Sequence, residues 1–140
     1  AISVGQLLPH AEVLVVTTPQ PAASDVAVRS GLVARQTGQR LIGVVENMSA
    51  LSLPDGTALE VFGSGGGRAV ADALTTASEP VEVVASIPLS PAFRQAGDDG
   101  VPGVIAVPED PAARAITALA KALAARPRDL PGRALPFTTG

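Results

Sequence analysis

The sequence predicts an α/β protein, a mainly parallel sheet in a three-layer arrangement with helices on both faces. Three observations carry this. Val13–Val16 and Leu41–Val45 are short, largely β-branched apolar runs of the kind that form strands buried on both faces. A helical segment of about residues 22–36 lies between them, which makes a β–α–β unit with a right-handed crossover. Further on, a third β-branched run and a well-capped helix continue the alternation, and such alternation places helices against a parallel sheet.

Composition narrows the function. A chain of 140 residues has room for one domain with a real core. Aromatic residues make up only 2%, without Trp or Tyr, so the core is aliphatic and stacking platforms for single-stranded nucleic acid are missing. A net charge of −3 argues against a binder of phosphate backbones, so no nucleic-acid partner is expected. No apolar run approaches the roughly 20 residues that span a bilayer, and no signal-peptide pattern is present. No membrane span is expected, and the cytoplasm is the default compartment. The absence of cysteine removes disulfides and thiolate metal ligands together.

In chain order, residues 1–8 read as the end of a helix that Pro9 stops. The strand Val13–Val16 runs into the polar Thr17-Thr18-Pro19-Gln20. In the helix that follows, Asp25, Arg29 and Gln36 share one narrow stripe, while Val26, Val28, Leu32, Val33 and the alanines cover the rest. So wide an apolar surface needs cover from the sheet and from something else. The i,i+4 spacing of Asp25 and Arg29 predicts a surface ion pair. The strand at Leu41–Val45 then turns polar at Glu46, Asn47 and Ser49.

Residues 50–62 predict a small hairpin turning at Pro54-Asp55-Gly56 and closed by Leu59, Val61 and Phe62. Phe62-Gly63-Ser64-Gly65-Gly66-Gly67-Arg68 leads into a helix with Val70 and Leu74 four residues apart. Val81, Val83 and Val84 begin a strand that ends at Ile87-Pro88-Leu89. A short helical turn over 91–96 precedes Asp98-Asp99-Gly100, and Val104–Val107 predicts a last short strand. Asp110 caps the final helix, Pro111 takes its first position, and Ile116, Leu119, Ala120 and Leu123 form its apolar stripe. Arg114 and Lys121 share the opposite face. Beyond it, residues 126–140, with Pro127, Pro131 and Pro136, read as a disordered or loosely draped tail, which leaves 1–125 as the folded unit.

Little in this frame reads as catalytic machinery. Open α/β sheets bind ligands at the carboxyl ends of their strands, so Asn47 reads either as a ligand contact or as a turn residue. The triglycine Gly65–Gly67 reads either as an anion cradle at a helix start or, preferably, as a flexible joint. It is neither a P-loop nor a dinucleotide fingerprint, since no Gly-Lys-Ser/Thr and no G-x-G-x-x-G spacing occurs. His10 stands alone in a turn, far from any ligand set, so no metal site is assigned. Ser24, Ser64 and Ser90 lack a histidine partner for hydrolysis.

The ordered series Val15–Gln20, Gly43-Val44-Val45-Glu46-Asn47-Met48-Ser49, Phe62–Gly67, Ile87–Pro91 and Ala96–Pro102 resembles the carboxyl half of the Mrp/ApbC proteins. Those are P-loop ATPases of the MinD/ParA type that carry iron–sulfur clusters to apoproteins. The likeness runs from about residue 1 to 125, and "VENMS" with "FGxGGG" is a specific pairing. It implies half of a P-loop NTPase domain, with the Walker lysines, the magnesium site and the Walker B aspartate upstream of Ala1. It implies that Asn47 contacts the adenine edge of ATP and that Pro88 and Leu89 line the other side of the base. It also implies an ATP-sandwiching homodimer and apoprotein acceptors.

Family members commonly carry Cys-x-x-Cys a few residues after "NMS". Leu53 and Gly56 take those places here, which excludes cluster ligation by that route. The expected function is therefore the ATP-binding part of an Mrp-like iron–sulfur carrier ATPase, supplying adenine contacts and dimer surface. A MinD/ParA-like switch or scaffold that docks protein partners without a cluster is the alternative. The full-length protein is expected to hydrolyse ATP and this segment alone is not, since it has no phosphate loop.

Overall fold

The computed structural model describes residues 6–127. Along them run β1 (Glu12–Thr17), α1 (Pro21–Gln36), β2 (Arg40–Ser52), β3 (Ala58–Leu59), α2 (Gly66–Leu74), β4 (Val83–Leu89), α3 (Pro91–Asp98), α4 (Gly103–Ala106) and α5 (Pro111–Ala125). Gln6 and Leu7 are helical, and most of the expected 1–8 helix end and of the 126–140 tail lies outside the described residues.

β2 is the centre of the sheet. β1 pairs with it in parallel from Glu12↔Arg40 to Thr17↔Glu46, and β4 pairs in parallel on its other edge. β3 pairs antiparallel with its last residues, Leu51↔Leu59 and Ser52↔Ala58. The sheet is thus mostly parallel, with one short antiparallel addition. Val15 and Val44 project from it onto Ala27 of α1, onto Val70, Ala71 and Leu74 of α2, and onto Val81, forming an aliphatic core. α5 rests on β4 and on α4.

α1 keeps its expected bounds but buries unexpected residues. Its buried positions are Ser24, Ala27, Gly31 and Ala34, whereas Val26 and Leu32 are 56% and 43% exposed. Close helix packing explains this: a Cβ on Gly31 would lie 2.6 Å from Leu74 Cδ1, so the seam with α2 admits only small residues. The Asp25–Arg29 ion pair does not form. Arg29 Nε instead donates to the Asp25 backbone oxygen at 3.3 Å, which a flexible exposed arginine does at no desolvation cost. Arg35 holds the far end of the same seam. Its Nη2 donates to the Leu74 carbonyl at 2.8 Å, and its Nε lies 2.8 Å from Glu79 Oε2, an ionic contact rather than an aligned hydrogen bond.

Two expected elements are corrected. The central strand does not end at Val45 but runs on to Ser52. Its polar residues are therefore strand residues, held by β4 on one edge and by β3 at the end. Val104–Val107 is not a strand. Residues 103–106 form a helical turn in which Ile105 and Ala106 N–H groups donate to Pro102 O, while Pro108 cannot donate to a ladder.

The hairpin forms as expected at its turn, with Gly56 N–H donating to Leu53 O at 2.9 Å and Leu53 N–H to Thr57 O at 2.8 Å. Leu59 closes it, whereas Val61 and Phe62 lie beyond β3 and stay partly exposed. In α5, Asp110 Oδ1 accepts from Ala112 N–H at 2.8 Å, confirming the cap. Ile116, Leu119 and Leu123 are half-buried, but Ala120 is exposed, and the buried positions are Ala112 and Ala113.

Candidate functional site

At the carboxyl ends of β2 and β4 the backbone opens a pocket of about 440 Å³. β2 leaves its parallel register there: Asn47 faces Ile87 and Leu51 faces Leu89, so four steps along β2 match two along β4. The surplus is absorbed by a bulge at Met48, which has φ 56°. A left-handed methionine costs about 1–3 kcal/mol and persists only where its surroundings hold it. Here the Asn47 side chain does so, its Oδ1 accepting from Met48 N–H at 2.9 Å.

The pocket gathers the sequence-predicted residues Asn47, Pro88 and Leu89 on one wall and floor. Phe93 and Arg94 of α3 and Ala112 and Ile116 of α5 line it as well. The lining is mainly aliphatic, and its polar side chains are those of Asn47, Ser90 and Arg94. Arg94 is half-committed already, its guanidinium paired with Asp98 one helical turn on. An apolar slot with one half-buried carboxamide suits a flat ligand that needs a donor and an acceptor at its edge.

A second arrangement lies one residue back on β2. Glu46 is 9% exposed, and its Oε2 accepts from Gly67 N–H at 2.6 Å. α2 starts behind Gly65, which has no side chain to cap it, so the carboxylate of a neighbouring strand caps the helix instead. The triglycine is consequently not a flexible joint. Gly65 takes φ 81°, a Cβ on Gly66 would lie 2.4 Å from Thr18 O, and one on Gly67 would lie 2.8 Å from Glu46 Cβ. Glycine is required here by close approach to the Thr18-Pro19 turn that follows β1 and to Glu46 of β2. Thr18 Oγ1 is buried beside this loop without a hydrogen-bond partner among the described residues.

Sequence reasoning missed Glu46, although a carboxylate at a strand end twenty-one residues before a glycine-rich helix start was the available signal. The remaining candidates stay apart from the pocket or serve structure. His10 sits in an exposed turn, Ser64 is exposed, and Ser24 Oγ donates to Gln20 O and Gly66 O at 3.3 and 3.4 Å. Asp98 pairs with Arg94, and Asp99 accepts from Gln95 Nε2 at 3.0 Å. In the hairpin turn, Asp55 accepts from the Thr57 hydroxyl at 2.6 Å and from its N–H at 2.9 Å; the hydroxyl first, then the N–H, hold its carboxyl below its ordinary range. Leu53 and Gly56 stand at the two ends of that turn, and among the described residues no group of three or more His, Cys, Asp or Glu side chains assembles that could hold a metal ion. No helix among them is long and apolar enough to cross a membrane.

Known proteins share this fold and sequence. The iron–sulfur cluster carrier protein of Mycobacterium tuberculosis is 53% identical over 136 residues, covering 96% of this chain and 36% of the relative. A human cytosolic Fe-S cluster assembly factor, NUBP2, is 38% identical over 120 residues, covering 84% of this chain and 42% of its own length. The chain thus spans well under half the length of the curated relatives it matches. In fold it is similar to the MinD cell division protein of Aquifex aeolicus, with TM-score 0.60 at 21% identity, over 89% of this chain and 48% of that one. Residues 1–124 match the sequence profile of the ParA family, described as NUBPL iron-transfer P-loop NTPase, and the chain belongs to that family.

Proposed function

We propose that this chain is the adenine-binding, carboxyl-terminal part of an ATP-dependent iron–sulfur cluster carrier, with residues 1–125 forming half of its P-loop NTPase domain. The observation that carries the proposal is the convergence of Asn47, Pro88 and Leu89 on one apolar pocket at the strand ends. The Asn47 carboxamide has an uncommitted Nδ2 and a second lone pair on Oδ1, which match the acceptor and donor of an adenine edge. Pro88 and Leu89 supply flat apolar contact to the face of the base. The phosphates and Mg²⁺ are held by residues outside this chain, and the partly exposed Val26 and Leu32 of α1 are surface offered to a second copy. The cluster is cargo delivered to apoprotein acceptors. Its thiolates do not come from these 140 residues, which contain no cysteine.

Isothermal titration of the full-length protein with ATP and GTP tests this. Asn47→Ala should weaken ATP by roughly 1–3 kcal/mol, the cost of losing a buried polar contact, and erode the preference over GTP. Equal affinity for the two nucleotides in the unmutated protein, or unchanged ATP affinity in the variant, would refute it.

A further inference from the structure

Two helix starts meet at the far wall of the pocket. Ser90 caps α3, its Oγ accepting from Phe93 N–H at 3.0 Å. Asp110 caps α5 through Oδ1. The second oxygen of Asp110 reaches across, and Ser90 Oγ donates to it at 2.5 Å. Among the described residues this is the one hydrogen bond between two side chains that spans more than four residues of sequence; it spans 20. Both groups are partly buried, and an O–H···O⁻ bond of this length is of the charge-assisted kind.

The position of this bond gives it a consequence. Ser90 directly follows Leu89 of the pocket floor and opens α3, which brings Phe93 and Arg94 to the wall. Asp110 opens α5, which brings Ala112 and Ile116. Asn47 is carried by β2, which the sheet holds through its pairing with β1 and β4. The width of the slot is therefore set by how α3 and α5 are tied to the end of β4, and Ser90–Asp110 is the side-chain tie.

We propose that Ser90 and Asp110 are positioning residues of the base pocket: their bond fixes the spacing between the Pro88–Leu89 floor and the α5 wall, and so governs discrimination among bases. The proposal rests on the adenine reading of the pocket. The side chains of Phe93, Ala112 and Ile116 make no directional bonds, so the spacing of α3 and α5 at the pocket relies on a polar tie. At Asp110 the cap and the tie use different oxygens, Oδ1 and Oδ2, so mutation there can separate them, whereas Ser90 Oγ serves both its cap and the tie.

The experiment uses the full-length protein and three variants. Asp110→Asn retains a good α5 cap but removes the charged acceptor, Ser90→Ala removes the donor together with the α3 cap, and Ser90→Thr keeps the hydroxyl for both. ATP, GTP and inorganic tripolyphosphate affinities and melting temperatures are measured for each. Asp110→Asn and Ser90→Ala are expected to bind ATP roughly tenfold more weakly with reduced preference over GTP, while tripolyphosphate binding and the Ser90→Thr variant match the unmutated protein. Unchanged ATP affinity and selectivity in a folded Ser90→Ala overturns the proposal, as does an equal loss for ATP, GTP and tripolyphosphate. Should Asp110→Asn fail to fold, Asp110→Ser, which keeps a capping oxygen for α5 and deletes the second one, takes its place. If Asn47→Ala is also without effect, the adenine reading fails; if Asn47→Ala weakens ATP and these variants do not, only the tie is refuted.

Discussion

Glu46 on β2 and Gly67 on α2 are joined by a 2.6 Å hydrogen bond from a backbone N–H to a buried carboxylate. This one contact fixes the glycine-rich loop against the strand that also carries Asn47. A helix whose own cap position is a glycine borrows its capping group from the sheet, so the loop and the base pocket share a single rigid strand. Removing that group leaves both the Gly67 donor and the dipole of α2 unanswered.

Glu46→Ala should therefore destabilise the full-length protein by about 1.5–3 kcal/mol, the range for a hydrogen bond to a charged group. Glu46→Gln keeps an acceptor without the charge and should cost less than half as much. Urea denaturation of the two variants measures this. Equal losses would mean that a neutral acceptor contributes nothing at the helix start and that the charge carries the whole interaction.

Gly66→Ala should be worse than its one added carbon suggests. The new Cβ would stand 2.4 Å from the Thr18 carbonyl oxygen and 2.7 Å from Pro19 Cα, both backbone atoms that side-chain rotation cannot move. Overpacking of this kind costs roughly 1–3 kcal/mol. Gly63→Ala, earlier in the same loop, meets no neighbour within 4 Å but carries φ 87°, so its cost is the left-handed penalty alone, about 1–2 kcal/mol. Thermal denaturation of the pair separates crowding from backbone strain, and a Gly66→Ala variant as stable as the unmutated protein would contradict the close approach.

Asn47 was legible as a polar residue following an apolar strand run and Pro88 and Leu89 as the end of another, but their meeting in one pocket was implied by the family resemblance and not by a local pattern. What stayed hidden depended on partners distant in the chain. Gly65–Gly67 reads as flexible until the Thr18-Pro19 turn and Glu46 of β2 are seen pressed against it. Val104–Val107 has strand-forming residues, yet its N–H groups turn back on the chain: those of Ile105 and Ala106 donate to Pro102 O and that of Val107 to Gly103 O. The continuation of β2 past Val45 hinges on β3 and β4 pairing with Leu51, which no local pattern at Asn47-Met48-Ser49 could announce.

Asp55 offers a pH test. Its folded-state carboxyl is held below the ordinary value by the Thr57 hydroxyl and N–H. A depressed carboxyl contributes stability that is present above its unfolded value, 3.8, and is lost as the pH falls through the lower folded value. Carboxyl-carbon NMR titration should show Asp55 titrating below its ordinary value of 3.8, and Thr57→Val should raise it toward that value. A titration of Asp55 that is the same in both proteins would mean that the hydroxyl bond does not persist in solution.

The hairpin turn also allows a gain of function to be attempted. Leu53 and Gly56 are the first and last residues of a turn closed by a 2.9 Å bond, and such ends lie within about 7 Å of one another, within reach of a single metal centre. Leu53 is half-buried, and Gly56 is exposed, where an added Cβ would meet no neighbour within 4 Å, so two thiolates would have room. The obstacle is local: Gly56 has φ 85°, and a cysteine there bears a left-handed strain of about 1–2 kcal/mol. Leu53→Cys with Gly56→Cys should therefore fold with a modest loss of stability and, in the full-length protein, take up more iron and sulfide on anaerobic reconstitution than the unmutated chain does. Soft thiolates are what such clusters require, and neither Leu53 nor Gly56 supplies one. Iron and sulfide content and visible charge-transfer absorbance provide the measurement. A doubly substituted protein that folds yet gains no iron would show that the turn has lost the geometry as well as the ligands. A stoichiometric cluster held by residues 1–140 of the unmutated protein would show that ligands other than thiolates of this chain suffice.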